Sequence, residues 1–155
     1  MNYHWSAAYN INITQTPTAG GDCFLFIHNN ATSPGDFLVK KVMISAAANE
    51  TVEITNTWYL GGVVVGGTDY VPVPLLGGHT TPPPPLDCVC QRGVAITQIA
   101  PGNIVDLLKI PVGFGMTQFD YGLNIVIPKY YVLAFRAITG GIALNMSLTI
   151  MQRTH

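Results

Sequence analysis

Charge is what this sequence has least of. Lys, Arg, Asp and Glu together make up 10% of its 155 residues, against about 25% in an ordinary soluble domain. The net charge of −1 offers no basic surface for nucleic acid and no acidic tail. Long apolar runs are missing too: Asp69, Arg92, Asp106, Lys129 and Arg136 interrupt every stretch that approaches the ~18 residues a spanning helix requires. No membrane partner is therefore expected. The opening "MNYHWSAAYNINITQTP" has neither a basic region nor a continuous apolar one, so it does not read as a secretory signal. Three cysteines, an odd number, suit a reducing compartment better than a disulfide framework. The expectation is a chain made and kept in a cytoplasm.

Chemistry-bearing motifs are equally scarce. There is no Gly-x-Ser-x-Gly elbow and no Gly-x-x-x-x-Gly-Lys loop, and "GGVVVGG" lacks the lysine and following helix that phosphate binding wants. The eight carboxylates are scattered, with none paired by spacing for glycoside hydrolysis. The stretch "GGHTTPPPPLDCVC", residues 77–90, is the densest in candidate groups. A metal would need Cys88, Cys90 and a histidine such as His79. One residue between the cysteines is short of the two to four that structural zinc sites prefer, so both read as small buried hydrophobes on a strand. Pro82–Pro85 read as a stiff polyproline connector, or as an arm reaching a neighbouring subunit. No catalytic residue, metal or cofactor is expected, and the protein is not expected to be an enzyme.

What remains is apolar, at 48% of residues, and it alternates. In "FDYGLNIVI" the odd positions Phe119, Tyr121, Leu123, Ile125 and Ile127 are apolar. In "TVEITNTWYL" Val52, Ile54, Trp58 and Leu60 share a face with Asn56. "DCFLFIHN" and "FLVKKVMIS" read as strands, "CVCQRGVAIT" and "NIVDLLKI" as weaker ones, and "TDYVPVPL" as an edge because of Pro72 and Pro74. "GVVVGG" reads as a turn-rich connection. Gly140-Gly141 fits a two-residue hairpin loop. Folding the chain there pairs Ala137 with Leu144, Phe135 with Met146, Leu133 with Leu148 and Tyr131 with Ile150. The opposite face, Arg136 with Asn145, Ala134 with Ser147 and Val132 with Thr149, is mixed to polar. No segment keeps a helical period. The pattern predicts an all-β, single-domain antiparallel β-sandwich of jelly-roll type, residues 18–155, with residues 1–17 as a short N-terminal arm and first edge strand.

The order "FLFIHNNATSPGDFLVKKVMISAAANETVEI", then "LGGVVVGGTDYVPV", then "NIVIPKYYVLAFRAITGGIALNMSLTIM" resembles the small jelly-roll structural proteins of tailed bacteriophages. The likeness lies in the order of strands and loops over residues 22–152, and Lys129 stands where those proteins commonly have glycine. The resemblance implies a capsid decoration (cement) protein on the virion surface, made in the host cytoplasm, commonly trimeric, with the major capsid protein as its partner. Tyr3, His4 and Trp5 are the candidate capsid contact, because large aromatics on a free terminus anchor interfaces. The alternative is a carbohydrate- or receptor-binding jelly roll, with Tyr3, Trp5, Tyr59, Tyr70, Tyr130 and Tyr131 as candidate stacking rings.

Overall fold

The computed structural model describes residues 4–30, 35–59, 64–75, 88–97, 102–113 and 115–154, with residues 4–7 and 154 described by their backbone. Among them are eleven strands and no helix: β1 (His4–Gln15), β2 (Cys23–Asn29), β3 (Gly35–Ala46), β4 (Glu50–Trp58), β5 (Val65–Asp69), β6 (Val73–Pro74), β7 (Cys88–Thr97), β8 (Asn103–Ile110), β9 (Thr117–Ile127), β10 (Tyr131–Ala137) and β11 (Leu144–Thr154). They form two antiparallel sheets, ordered β6-β1-β11-β3-β9 and β5-β7-β2-β10-β4-β8.

Eight of these strands make the jelly roll. β1 pairs with β11, β2 with β10, β3 with β9 and β4 with β8, as in a long ribbon doubled back on itself. Curling that ribbon adds the β11–β3 and β10–β4 pairings, and the chain passes between sheets at most connections. The result is the double Greek key of an eight-stranded jelly roll. β5, β6 and β7 are inserted at the ribbon's tip, between β4 and β8. They widen both sheets on the same side, β6 against β1 and the β5–β7 pair against β2.

Alternation dictates what lies between the sheets. Ile11, Ile13, Val39, Val42, Ile44, Leu148 and Ile150 face Leu25, Ile27, Val52, Ile54, Leu108, Leu133 and Phe135 in one continuous buried cluster. Burying each such side chain contributes about 1.5–3 kcal/mol. A smaller cluster of Cys23, Phe26, Ile96, Val132 and Ala134, with Tyr59 and Val64 against it, covers the far face of the six-stranded sheet. β10 is thus buried on both faces, not mixed to polar on one, and even Arg136 is enclosed, donating to the Gly21 carbonyl at 3.5 Å.

Several sequence expectations need correction. The hairpin at Gly140-Gly141 does not form. β10 and β11 lie in different sheets, and the connection between them crosses the sandwich. The apolar face deduced for each strand is right: Leu133, Phe135 and Ala137 meet Leu144, Met146, Leu148 and Ile150 across the core instead of beside them in one sheet. Alternation says which side chains point inward, and two strands that bury the same kind of face satisfy it equally as sheet neighbours or as opposed layers. The glycines serve a tighter task. Gly140 has φ 77° and lies against the Ala19 backbone, where any side chain would collide.

The glycine-rich connection also holds a strand. β5 pairs with β7, and Gly66 and Gly93 approach so closely that a Cβ on either would strike the other strand's backbone. The alternation read in β9 holds, with Phe119, Tyr121, Leu123, Ile125 and Ile127 more covered than Asp120, Gly122 and Asn124, but its pairing with β3 shifts between Val39 and Lys41, where Gly122 and Leu123 take φ 54° and 68°. Finally, the N-terminal arm is part of the sandwich. β1 begins at His4, which pairs with Thr154, while Trp5 pairs with Arg153. Tyr3 and most of the 77–90 stretch, including His79 and Pro82–Pro85, lie outside the described residues.

Candidate functional site

Three strands of the larger sheet finish together at one end of the sandwich: β2 at Asn29, β4 at Trp58, and β10, which starts there at Tyr131. Asn29 is fully buried and ties that end together. Its side-chain amide donates to the Gly35 carbonyl at 3.0 Å and the Ile127 carbonyl at 2.8 Å, both on the opposite sheet. Its own carbonyl accepts the Tyr130 N–H at 2.7 Å. The β9–β10 connection is a turn closed by the Tyr131 N–H on the Pro128 carbonyl at 3.1 Å, and its third residue, Tyr130, has φ 67°. A turn with positive φ at that position ordinarily carries glycine or asparagine. A tyrosine there costs about 1–2 kcal/mol of backbone strain.

The rings of this end touch. Trp58, 53% exposed, lies 5.2 Å from Tyr130 at an interplanar angle of 35° and meets Tyr131 edge-on at 5.4 Å. Tyr131 packs down onto the core. Beside them His28 meets the Tyr59 ring edge-on at 5.1 Å. Burial holds the His28 imidazole below its ordinary pKa, opposed by a backbone hydrogen bond with Tyr59. Among the described residues its buried Nε2 has no hydrogen-bond partner.

Of the rings singled out from sequence, the fold therefore gathers Tyr59, Tyr130 and Tyr131. Tyr70 belongs elsewhere: its hydroxyl accepts the Asn12 N–H at 3.0 Å, and the Arg92 guanidinium sits 5.7 Å from its ring centre, so it latches the inserted strands to β1. Trp58 was assigned by alternation to the core face with Val52 and Ile54. Those two are buried, but the sheet ends before Trp58 is covered. The signal that marks it is its place, last in its strand and followed within three residues by Gly61-Gly62.

The groups with chemical potential elsewhere are committed to structure. Cys23 is buried, and loss of solvation pushes its thiol up to about 11. Burial also raises the Cys90 thiol, so neither is a ready nucleophile or ligand. No three His, Cys, Asp or Glu side chains converge among the described residues. The Glu50 carboxylate, buried where β4 begins, accepts the N–H groups of Thr51 at 2.8 Å, Thr139 at 2.9 Å and Gly140 at 3.0 Å. Tyr121 donates to Asp106 at 2.8 Å, joining β9 to β8 across the sandwich, and burial together with that carboxylate raises the phenol's pKa. Asp36 pairs with Arg153 at 3.0 Å.

Two apolar strips are left in water. On the inserted segment Val71, Val73 and Leu75 are 83%, 53% and 51% exposed, alternating with Pro72 and Pro74, which turn inward. On β8 Ile104, Val105 and Leu107 are exposed. The strips flank opposite sides, since β6 borders one sheet next to β1 and β8 borders the other next to β4.

No protein family and no curated protein matches the sequence. Among solved structures the chain is similar to the CBM22-1–GH10 modules of the N-terminal endo-1,4-beta-D-xylanase 10B of Clostridium thermocellum, complexed with xylohexaose. The identity is 6% and the TM-score 0.33, over 96% of this chain and 26% of that one. The chain thus spans about a quarter of that protein's length, and a superposition this loose does not bear on function.

Proposed function

We propose that this chain is a virion structural protein, a decoration protein that self-associates and binds the outside of an assembled phage shell. The observation that supports it is the pair of exposed apolar strips. Contiguous exposed apolar surface on a weakly charged protein marks a contact with another protein, and here Val71–Leu75 and Ile104–Leu107 lie on opposite flanks. Unlike surfaces on opposite flanks meet head to tail, and such contacts close into a ring when the rotation permits. A homotrimer is the ring we assign. The capsid-facing residues are Tyr3, His4 and Trp5, of which His4 and Trp5 open β1 beside the end of β11.

Light scattering at micromolar concentration tests the ring, with three chain masses expected. Val73→Asp and Leu107→Asp should each break it, and the two variants mixed should give a pair through the one intact contact. A monomeric wild type would defeat the self-association half. Pelleting with bare capsids tests the shell half. Because His4 onward is paired strand, the informative variants are Tyr3→Ala and Trp5→Ala, not removal of residues 1–7. Unchanged occupancy in both would move the capsid contact elsewhere, and no pelleting of wild type would remove the decoration role.

A further inference from the structure

We propose that the aromatic end is a glycan-binding platform, with Trp58 and Tyr130 stacking on the apolar faces of neutral pyranose units. It is a second binding surface, independent of the shell contact and of the apolar strips.

The first ground is that neither ring is required by the fold in this position. Tyr131 already covers the core beneath, and Trp58 remains 53% exposed although Val52 and Ile54, on the same face of β4, are sealed. Tyr130 is held at φ 67° in a turn that glycine would make without strain. What tyrosine adds there is its ring, 5.2 Å from the indole. Backbone strain concentrates at functional positions, and an observed outlier is the right starting point for a functional inference.

The second ground is what surrounds the rings. Beside Trp58 in sequence and register stand Thr57, half-buried, and Asn103, exposed, the latter paired with Asn56; beside Tyr130 stands exposed Lys129. The strongest contacts in protein interfaces sit inside a rim that excludes water. The Asn103 amide, opposite Asn56 on the Trp58 face, and the Lys129 ammonium are polar surroundings instead, suited to a ligand whose own edge is hydroxyls and whose faces are C–H. Pyranose units with equatorial hydroxyls have that character. A single-stranded nucleic acid would also stack, but it requires a basic groove along its phosphates. Lys129 alone, on a chain of net charge −1, does not make one.

The third ground is shape. A cleft of about 500 Å³ beside Glu50 and Lys109 lies at the other end of β4. A small ligand wants a cavity that buries most of its surface. The two rings, 5.2 Å apart and inclined at 35°, lie partly over each other, so a chain would run along the exposed indole and the outer side of the Tyr130 ring.

The test is a titration of the full chain with cellohexaose and hexa-N-acetylchitohexaose, both neutral and equatorially substituted, followed by tryptophan emission and isothermal calorimetry. Saturation at or below ~1 mM is expected. Trp58→Ala should abolish it, Tyr130→Gly should weaken it at least about tenfold while leaving the fold intact, and Trp5→Ala should leave it unchanged. Absence of any heat or emission change with both hexaoses would overturn the proposal, as would equal binding by Trp58→Ala. So would loss of capsid pelleting in Trp58→Ala without glycan binding by wild type, which would make the rings a protein contact. Shell binding and oligomer mass are read separately, so this proposal and the decoration role can fail independently.

Discussion

Strand β4 runs from Glu50, which is buried, to Trp58, which is half in water, and the two ends of the sandwich differ as those residues do. At the Glu50 end the loops are laced to one another. Gly141 donates to Pro17 at 2.6 Å, Gly21 to Ala137 at 2.7 Å, Ala47 to Ala143 at 3.0 Å and Ile138 to Thr51 at 2.9 Å. The Glu50 carboxylate gathers three more N–H groups. At the Trp58 end two side-chain amides join the sheets, Asn29 and Asn56, the latter donating to the Val126 carbonyl at 3.3 Å, and beside them lie rings. Loops that satisfy their own polar groups keep little for a ligand. An end closed by side chains keeps surface to offer.

The sharpest way to break this contrast is to cut the Glu50 lacing. Hydrogen bonds to a charged group contribute about 1.5–3 kcal/mol each, and the orphaned N–H groups regain only part of that from water. Glu50→Ala should therefore cost about 3 kcal/mol, lowering Tm by about 6–12 °C for a chain of this length. Trp58→Ala, at the other end, should lower it by less than about 3 °C. Calorimetry in which the two variants melt together would refute a difference in how the ends are held. Asn29→Ala comes next, at about 2 kcal/mol, because it strands the Gly35 and Ile127 carbonyls. The loss should appear in urea unfolding as a lower midpoint with an unchanged slope.

A finer cut separates the ring of Tyr130 from its backbone. Tyr130→Gly relieves about 1–2 kcal/mol of left-handed strain. It also adds about 0.5–1 kcal/mol of unfolded-chain entropy and forfeits about 0.5–1.5 kcal/mol of ring contact. Those terms nearly cancel, so Tm should stay within about 2 °C. Tyr130→Ala keeps the strain and loses the ring, and should melt about 2–4 °C lower. If glycine proves as costly as alanine, the turn is not strained.

The fold class was legible because alternation survives in single strands such as "TVEITNTWYL" and "FLVKKVMIS". Pairing was not: the face shared by Leu133, Phe135, Leu144 and Met146 is the same whether β10 and β11 are neighbours or opposed layers, and only tertiary context chooses. The site was half legible. Tyr59, Tyr130 and Tyr131 could be named as rings, but Trp58 looked like core because periodicity carries no mark for where a sheet stops covering its strand. The left-handed turn at Tyr130 was hidden for a related reason: nothing in "IPKYY" announces positive φ when the position lacks glycine. Asn29 stood in view inside "HNN", yet its two bonds to the other sheet join residues 6 and 98 positions away.

The smallest expected effect is one of pH, and it too belongs to the ring end. Burial lowers the His28 pKa in the folded chain below the 6.5 of the free side chain. Between those two values the unfolded chain binds more protons than the folded one, so stability rises with pH there. Above 6.5 both forms are neutral at this position and the contribution is fully present. As pH falls below 6.5 it is lost, until the folded imidazole protonates as well. His28→Gln removes that dependence while leaving the other histidines in place. The difference in urea midpoint between wild type and His28→Gln should therefore shift against the wild type when pH is lowered from 7.5 to 5.5. Glu50→Ala, at the other end of β4, leaves His28 and its surroundings in place and should not alter the shift. A wild type that gains on His28→Gln as pH falls would mean that the imidazole is held in its charged form, and that the Nε2 beside Tyr59 has found a partner.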